Sequence, residues 1–83
     1  MIASAQSSVY PLRQDHLGPA IETVRTALAA HGLKPQIGAM STTVVGEDAA
    51  IFAALQEAFA KTAEVGEVVM TVTVSNACPI PPG

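Results

Sequence analysis

Charged side chains are scarce in this 83-residue chain: they make up 13% of it, about half the usual share for a soluble domain. Lys and Arg number 4 against 7 Asp and Glu, for a net charge of −3. So few cations exclude a basic patch, and with it nucleic acid and anionic membrane surfaces as expected partners. A small organic cation, by contrast, is not repelled. The single cysteine, Cys78, excludes an intrachain disulfide and fits a cytoplasmic location. The two histidines, His16 and His31, lie far from each other and from Cys78, which gives no metal-ligand spacing. Glycines are scattered as punctuation rather than gathered into a phosphate loop. No apolar run reaches the roughly 18 residues that mark a membrane helix, and residues 1–12 lack the basic start of a signal peptide. What remains is 49% hydrophobic, too apolar for a disordered chain and too short for more than one domain. The expectation is one domain over residues 1–78 and a proline-rich tail, 79–83, that cannot continue a ladder.

Residues 2–10 carry small and β-branched side chains, and Pro11 closes this first strand because it has no N–H to donate. Leu17, Ala20, Ile21, Val24, Ala27, Leu28 and His31 then recur at threes and fours, the spacing of an amphipathic helix. Asp15 or Gly18 can cap that helix, Pro19 suits its first position and Gly32 its left-handed end. Residues 33–38 read as a short second strand, Gly38-Ala39-Met40-Ser41 as a tight reversal, and residues 42–45 as a β-branched third strand. Gly46 and Glu47 break that strand and Asp48 caps a second helix. Its predicted face is Ile51, Phe52, Leu55, Ala58, Phe59 and Ala63, and Gly66 ends it. Residues 68–74 alternate as a fourth strand, with Met70, Val72 and Val74 on one face and Val69, Thr71 and Thr73 on the other.

The order βαββαβ, with right-handed crossovers, predicts an α+β ferredoxin-like sandwich. Its antiparallel sheet has the order 4-1-3-2, with both helices on one face. The small set Ala3, Ala5, Ser7 and Val9 suits close helix packing, which turns Gln6, Ser8 and Tyr10 to the open face. Thr42 and Val44 then look toward the helices, and Ser41, Thr43 and Val45 look away. The open face also takes Val69 and Thr71, carries almost no charge and lacks any cover of its own. Stacking of such faces predicts a homodimer or homotetramer.

This topology gathers Ser8, Tyr10, Met40, Ser41, Thr42 and Thr43 at one end of the sheet. Thr42 puts a hydroxyl where packing favours valine, and an unpartnered buried hydroxyl costs roughly 1–3 kcal/mol. It therefore bonds nearby backbone or lines a small-molecule pocket. Tyr10, the lone tyrosine, packs in an interface or covers a ligand ring. Glu47 and Asp48 form a strand exit and helix cap, or an anionic spot. His31 reads as a helix-terminal residue, His16 as a solvated loop residue and Cys78 as an inert tail thiol. No acid–base pair converges, so no catalytic residue, metal or cofactor is expected.

Ser8-Val9-Tyr10-Pro11-Leu12, Ser41-Thr42-Thr43-Val44-Val45-Gly46 and Cys78-Pro79 stand in the order and spacing of three motifs. Together they resemble the thiamine/hydroxymethylpyrimidine-binding YkoF-like family, over residues 2–79. Gln6, Ser7 and Val45 depart from it, standing where the family carries a basic, a larger aromatic and a charged residue. The resemblance implies a ferredoxin-like fold, assembly through sheets, and non-catalytic binding of thiamine or its hydroxymethylpyrimidine moiety. Serine and threonine hydroxyls suit an aminopyrimidine because each both donates and accepts. The ligand then lies either on the helix side with Thr42 or on the open side with Ser8, Tyr10 and Thr43. Two other function classes compete with this one. The first is a ligand-free oligomeric regulatory or interaction domain, and the second an oligomeric ferredoxin-like enzyme.

Overall fold

A computed structural model describes residues 1–13, 18–39 and 41–77. The element order is β1 (Ile2–Pro11), α1 (Gly18–Ala30), β2 (Gln36–Ile37), β3 (Thr42–Glu47), α2 (Asp48–Ala63) and β4 (Val68–Ser75). The four strands form one antiparallel sheet in the order β2-β3-β1-β4. That is the predicted order read from the other edge, and the fold is the ferredoxin-like α+β sandwich.

Registers fix the faces. Ala3, Ala5 and Ser7 of β1 pair with Gly46, Val44 and Thr42 of β3. Ala5, Ser7 and Val9 pair on the other side with Val74, Val72 and Met70 of β4. Ala3, Ala5, Ser7, Val9, Thr42 and Val44 are all buried, so this is the helix-covered face, as the small side chains of β1 implied. Ala20, Val24, Ala27 and Leu28 of α1 and Ile51, Ala54, Leu55 and Ala58 of α2 close the core from above. Alanines on both layers bring helix and sheet close, and Leu28 and Ile51 supply the bulk.

The end of α1 follows the sequence closely. Gly32 has φ +78°, its N–H donates to the Ala29 carbonyl, and the Leu33 N–H donates to the Leu28 carbonyl. This is a Schellman ending, and both of its apolar members, Leu28 and Leu33, join the core. Leu33 in turn lies over β3 at Gly46, where a Cβ would sit 2.5 Å from the Leu33 Cδ2.

Three elements differ from the reading of the sequence. β2 is only Gln36–Ile37 rather than residues 33–38. Leu33 is drawn into the core instead, Pro35 has no N–H for a ladder, and the Gly38 N–H turns back to the Ser41 carbonyl. β3 continues through Gly46 to Glu47 because β1 pairs it that far. It then enters α2 directly, so Asp48 is a first-turn residue and the Glu47 side chain makes no cap bond. Third, α2 buries Ile51, Ala54, Leu55, Ala58 and Thr62, leaving Phe52 and Phe59 exposed. Thr62 fits this core face because its hydroxyl donates to the Ala58 carbonyl at 2.7 Å. The expected roles of Asp15 as a cap and Leu17 as a face residue, and the tail from 78 to 83, lie outside the described residues. No helix among the described residues is long and apolar enough to cross a membrane.

Gly46→Val tests the closeness of β3 to Leu33. Overpacking there is expected to cost about 1–3 kcal/mol, read as a lower midpoint in urea unfolding. An unchanged midpoint would show that Leu33 does not depend on the missing side chain.

Candidate functional site

Pairing between β1 and β3 stops at Ser7 and Thr42. Beyond that point β1 runs on through Pro11 with β4 alone, while β2 and β3 turn away through Gly38 and Ala39. The sheet forks there, because the β1–β3 register ends at that pair while β1 continues alongside β4. α1 roofs the fork. The result is a cavity of about 130 Å³ lined by Ser7, Ser8, Val9, Tyr10, Ile21, Val24, Ile37, Gly38, Ala39, Ser41 and Thr42.

Its floor holds two hydroxyls side by side, those of the cross-strand pair Ser7 and Thr42. Ser7 is 5% exposed and Thr42 6%, and neither hydroxyl hydrogen-bonds to any described residue. The hydroxyl of Thr42 bonds no backbone group among the described residues, and Thr42 lines the cavity. The Ser41 Oγ accepts a 2.9 Å bond from the Gln6 Nε2, which leaves the Ser41 O–H to donate. Ile21 and Val24 of α1, with Ile37 and Val9, form apolar walls. Tyr10 stands at the rim, 46% exposed.

Of the residues singled out in the sequence, Ser8, Tyr10, Ser41 and Thr42 come together around the cavity. Thr43 does not line it; it pairs with Gln6 and Gln36 on the open face. Met40 lies outside the described residues, as do His16 and Cys78. Because the fork interrupts the sheet, residues of both faces reach the cavity, although its body lies on the helix side with Ser7, Thr42, Ile21 and Val24. Ser7 and the α1 wall were missed in the sequence. The signal for Ser7 was its hydroxyl, standing alone in the alanine and valine row of β1.

No charged side chain lines the cavity among the described residues. Glu22, next to Ile21, is exposed and hydrogen-bonded to Arg25, which holds its carboxyl below the ordinary value. Glu47 and Asp48 face the Met1 amino nitrogen at 2.7 and 3.4 Å, at the opposite end of β1. His31, just past α1, has its Nε2 3.6 Å from Glu57 Oε1 of α2, so its contact joins the helices rather than serving the cavity. Among the described residues no cluster of three or more His, Cys, Asp or Glu could hold a metal.

An α+β ferredoxin-like sandwich with a ring-sized polar-floored cavity at a fork in its sheet is thus the class to which this chain belongs. Comparison with known proteins makes that class specific. The model of the YkoF-related family matches residues 2–81, and the chain belongs to that family. Solved structures similar in fold include a hypothetical protein of Methanocaldococcus jannascii. It has a TM-score of 0.85 and 20% identity, over 96% of this chain and 84% of that one. A Streptococcus pneumoniae protein has a TM-score of 0.81 and 23% identity, over 90% and 86%. A Thermotoga maritima protein proposed to act in thiamine biosynthesis or salvage has a TM-score of 0.78 and 21% identity, over 89% and 82%. No curated protein matches the chain.

Two substitutions probe the floor and the helix seam. Thr42→Val keeps the side-chain shape and removes a hydroxyl that has no partner among the described residues. The free protein should therefore be as stable as wild type or up to about 2 kcal/mol more stable, measured by urea unfolding. A loss of more than 1 kcal/mol, the size of a typical hydrogen bond, would mean that the hydroxyl has a structural partner. His31→Ala should cost no more than about 1 kcal/mol, the range of a partly exposed ion pair, seen in the same measurement. A larger cost would place His31 in the core's support.

Proposed function

We propose that the protein binds thiamine or its hydroxymethylpyrimidine moiety without catalysing a reaction on it, serving thiamine salvage or transport. One observation carries this reading: Ser7 and Thr42, each residue about 95% buried, set two adjacent hydroxyls with no hydrogen-bond partner among the described residues into the floor of an otherwise apolar cavity. A hydroxyl that faces a cavity without a partner of its own is open to a hydrogen bond from a ligand.

Size and charge then select the ligand part. About 130 Å³ is close to the roughly 150 Å³ of an apolar protein cavity that accepts benzene, so the space takes one six-membered ring. No charged side chain lines it among the described residues. A neutral pyrimidine can enter, whereas a thiazolium would lose its hydration with no counter-charge to replace it. Thiamine therefore enters pyrimidine first, its cationic ring left at the mouth near Tyr10. Ser7, Ser41 and Thr42 meet the amine and ring nitrogens, and Ile21, Val24 and Ile37 hold the ring faces. What supports binding over catalysis is the lining, which among the described residues offers hydroxyls and hydrocarbon but no imidazole, thiol, amine or carboxylate. Family membership and the thiamine-linked Thermotoga maritima neighbour point the same way. The reading includes a homo-oligomer formed through open sheet faces; what supports it is the near-neutral row Ser4, Gln6, Ser8, Tyr10, Thr43, Val45, Val69, Thr71 and Thr73.

Isothermal titration tests this with hydroxymethylpyrimidine and thiamine against wild type, Thr42→Val and Ser7→Ala. Wild type should bind both. Each variant should bind up to ~13-fold more weakly, the worth of one neutral hydrogen bond of about 0.5–1.5 kcal/mol. Absence of binding to wild type, or unchanged affinity in both variants, would refute the assignment.

A further inference from the structure

We infer that Gln6 is a positioning residue that sets the hydrogen-bonding sense of the cavity. By donating to Ser41 it leaves the Ser41 O–H free for a ligand. The site then takes an aminopyrimidine edge, a ring nitrogen beside an amine, in preference to the N–H and carbonyl edge of the deaminated compound. This rests on the reading of the cavity as a pyrimidine site.

Gln6 does not line the cavity. It stands on the open face of β1, one residue before the last β1–β3 pair and directly opposite Thr43. Position 41 continues the face of Thr43 just past the start of β3. Diagonal neighbours of this kind lie roughly 7–8 Å apart, a span that a long side chain crosses. Gln6 crosses it, and its Nε2 donates to the Ser41 Oγ at 2.9 Å. The Gly38 N–H donates to the Ser41 carbonyl at 2.8 Å. Ser41 is thus held through both backbone and side chain at the point where it meets the cavity.

A hydroxyl carries one proton and two lone pairs. One lone pair of Ser41 takes the Gln6 N–H, so the Ser41 proton points away from Gln6 and is left for another acceptor. Ser7 and Thr42 are different. Neither hydroxyl has a partner among the described residues, so each donates or accepts as a ligand requires. The cavity therefore holds two adaptable hydroxyls and one whose sense is set from outside.

This asymmetry selects one edge of a pyrimidine. An aminopyrimidine presents an acceptor ring nitrogen next to a donor amine. Ser41 donates to the nitrogen, and Thr42, its neighbour in the chain, or Ser7 beside Thr42 accepts from the amine. Exchange of the amine for a carbonyl puts a proton on that ring nitrogen and reverses both groups. The floor hydroxyls follow the change by turning, whereas Ser41 loses the acceptor toward which its proton is directed. A group whose hydrogen bond fits one edge and not the other is a source of specificity.

Isothermal titration with hydroxymethylpyrimidine and its 4-oxo analogue tests this on wild type, Gln6→Lys, Gln6→Glu, Ser41→Ala and the double variant Gln6→Glu/Ser41→Ala. The readout is the ratio of the two affinities on each protein, in which a uniform loss through folding or charge cancels. Wild type should prefer the amino compound by up to ~13-fold, the worth of one neutral hydrogen bond. Gln6→Lys keeps a donor toward Ser41 and should keep the preference. Gln6→Glu brings only acceptors; it takes the Ser41 proton, leaves lone pairs for the ligand, and should remove or reverse the preference. Ser41→Ala should remove it, and Gln6→Glu added to Ser41→Ala should not move the ratio further. Equal binding of both compounds by wild type, the wild-type preference retained in Gln6→Glu, or a ratio that Gln6→Glu shifts equally without Ser41 would each overturn the proposal while pyrimidine binding stands. A wild type that binds neither compound would refute the pyrimidine site and this proposal with it.

Discussion

The structure depends on one mismatch in strand length. β1 has ten residues and β4 follows it to the end, but β3 stays with it only as far as the pair Ser7 and Thr42. A sheet that kept all its strands in register would have no room at this point. Because β3 begins late and β2 is two residues long, the sheet opens into a fork, and α1 closes it from one side. The cavity is thus a consequence of pairing rather than of a loop insertion. Its polar atoms come from strand residues whose positions are fixed by backbone hydrogen bonds. A site built this way is held before any ligand arrives, which lowers the ordering cost of binding.

The rest of the packing keeps that fork open. Small residues on β1 let the helices sit low over the sheet, and the Schellman ending of α1 drives Leu33 into the space above Gly46. Pulling Leu33 inward shortens β2, and a short β2 lets Gly38 and Ala39 swing to the mouth of the cavity. No charged side chain lines the cavity among the described residues. The ion pairs of Met1 with Glu47 and Asp48 lie at the far end of β1, the His31–Glu57 contact joins the helices, and the exposed Arg13–Glu67 pair lies past Pro11 without lining the cavity. Among the described residues the fork presents hydrocarbon and hydroxyl, a surface suited to a neutral ring.

Much of this was legible in the residues. The strand order, the inward turn of Ala3, Ala5, Ser7 and Val9, and the meeting of Ser8, Tyr10, Ser41 and Thr42 all follow from periodicity and the handedness of crossovers. Motif resemblance pointed to the same family that the matching family model identifies. Besides the lengths of β2 and β3 and the place of Ser7, two things were not legible. The α1 wall of Ile21 and Val24 depends on the angle at which the helix crosses the sheet, which spacing alone does not encode. The core face of α2 was misjudged because its alanines and phenylalanines form two adjacent stripes, and bulk drew attention to the wrong one. Ala54 and Ala58 win the core because only small side chains fit between α2 and the sheet, and the two phenylalanines are displaced to the flank.

The central claim is that the fork between β1 and β3 receives a pyrimidine ring on the helix side of the sheet. An amide NMR titration of the whole chain with hydroxymethylpyrimidine tests it most directly. The account predicts saturable shifts centred on Ser7, Ser41, Thr42, Ile37 and Gly38, fading along β1 toward Ile2. Shifts confined to the open face at Thr43, Thr71 and Thr73, or no shifts at millimolar ligand, would contradict it.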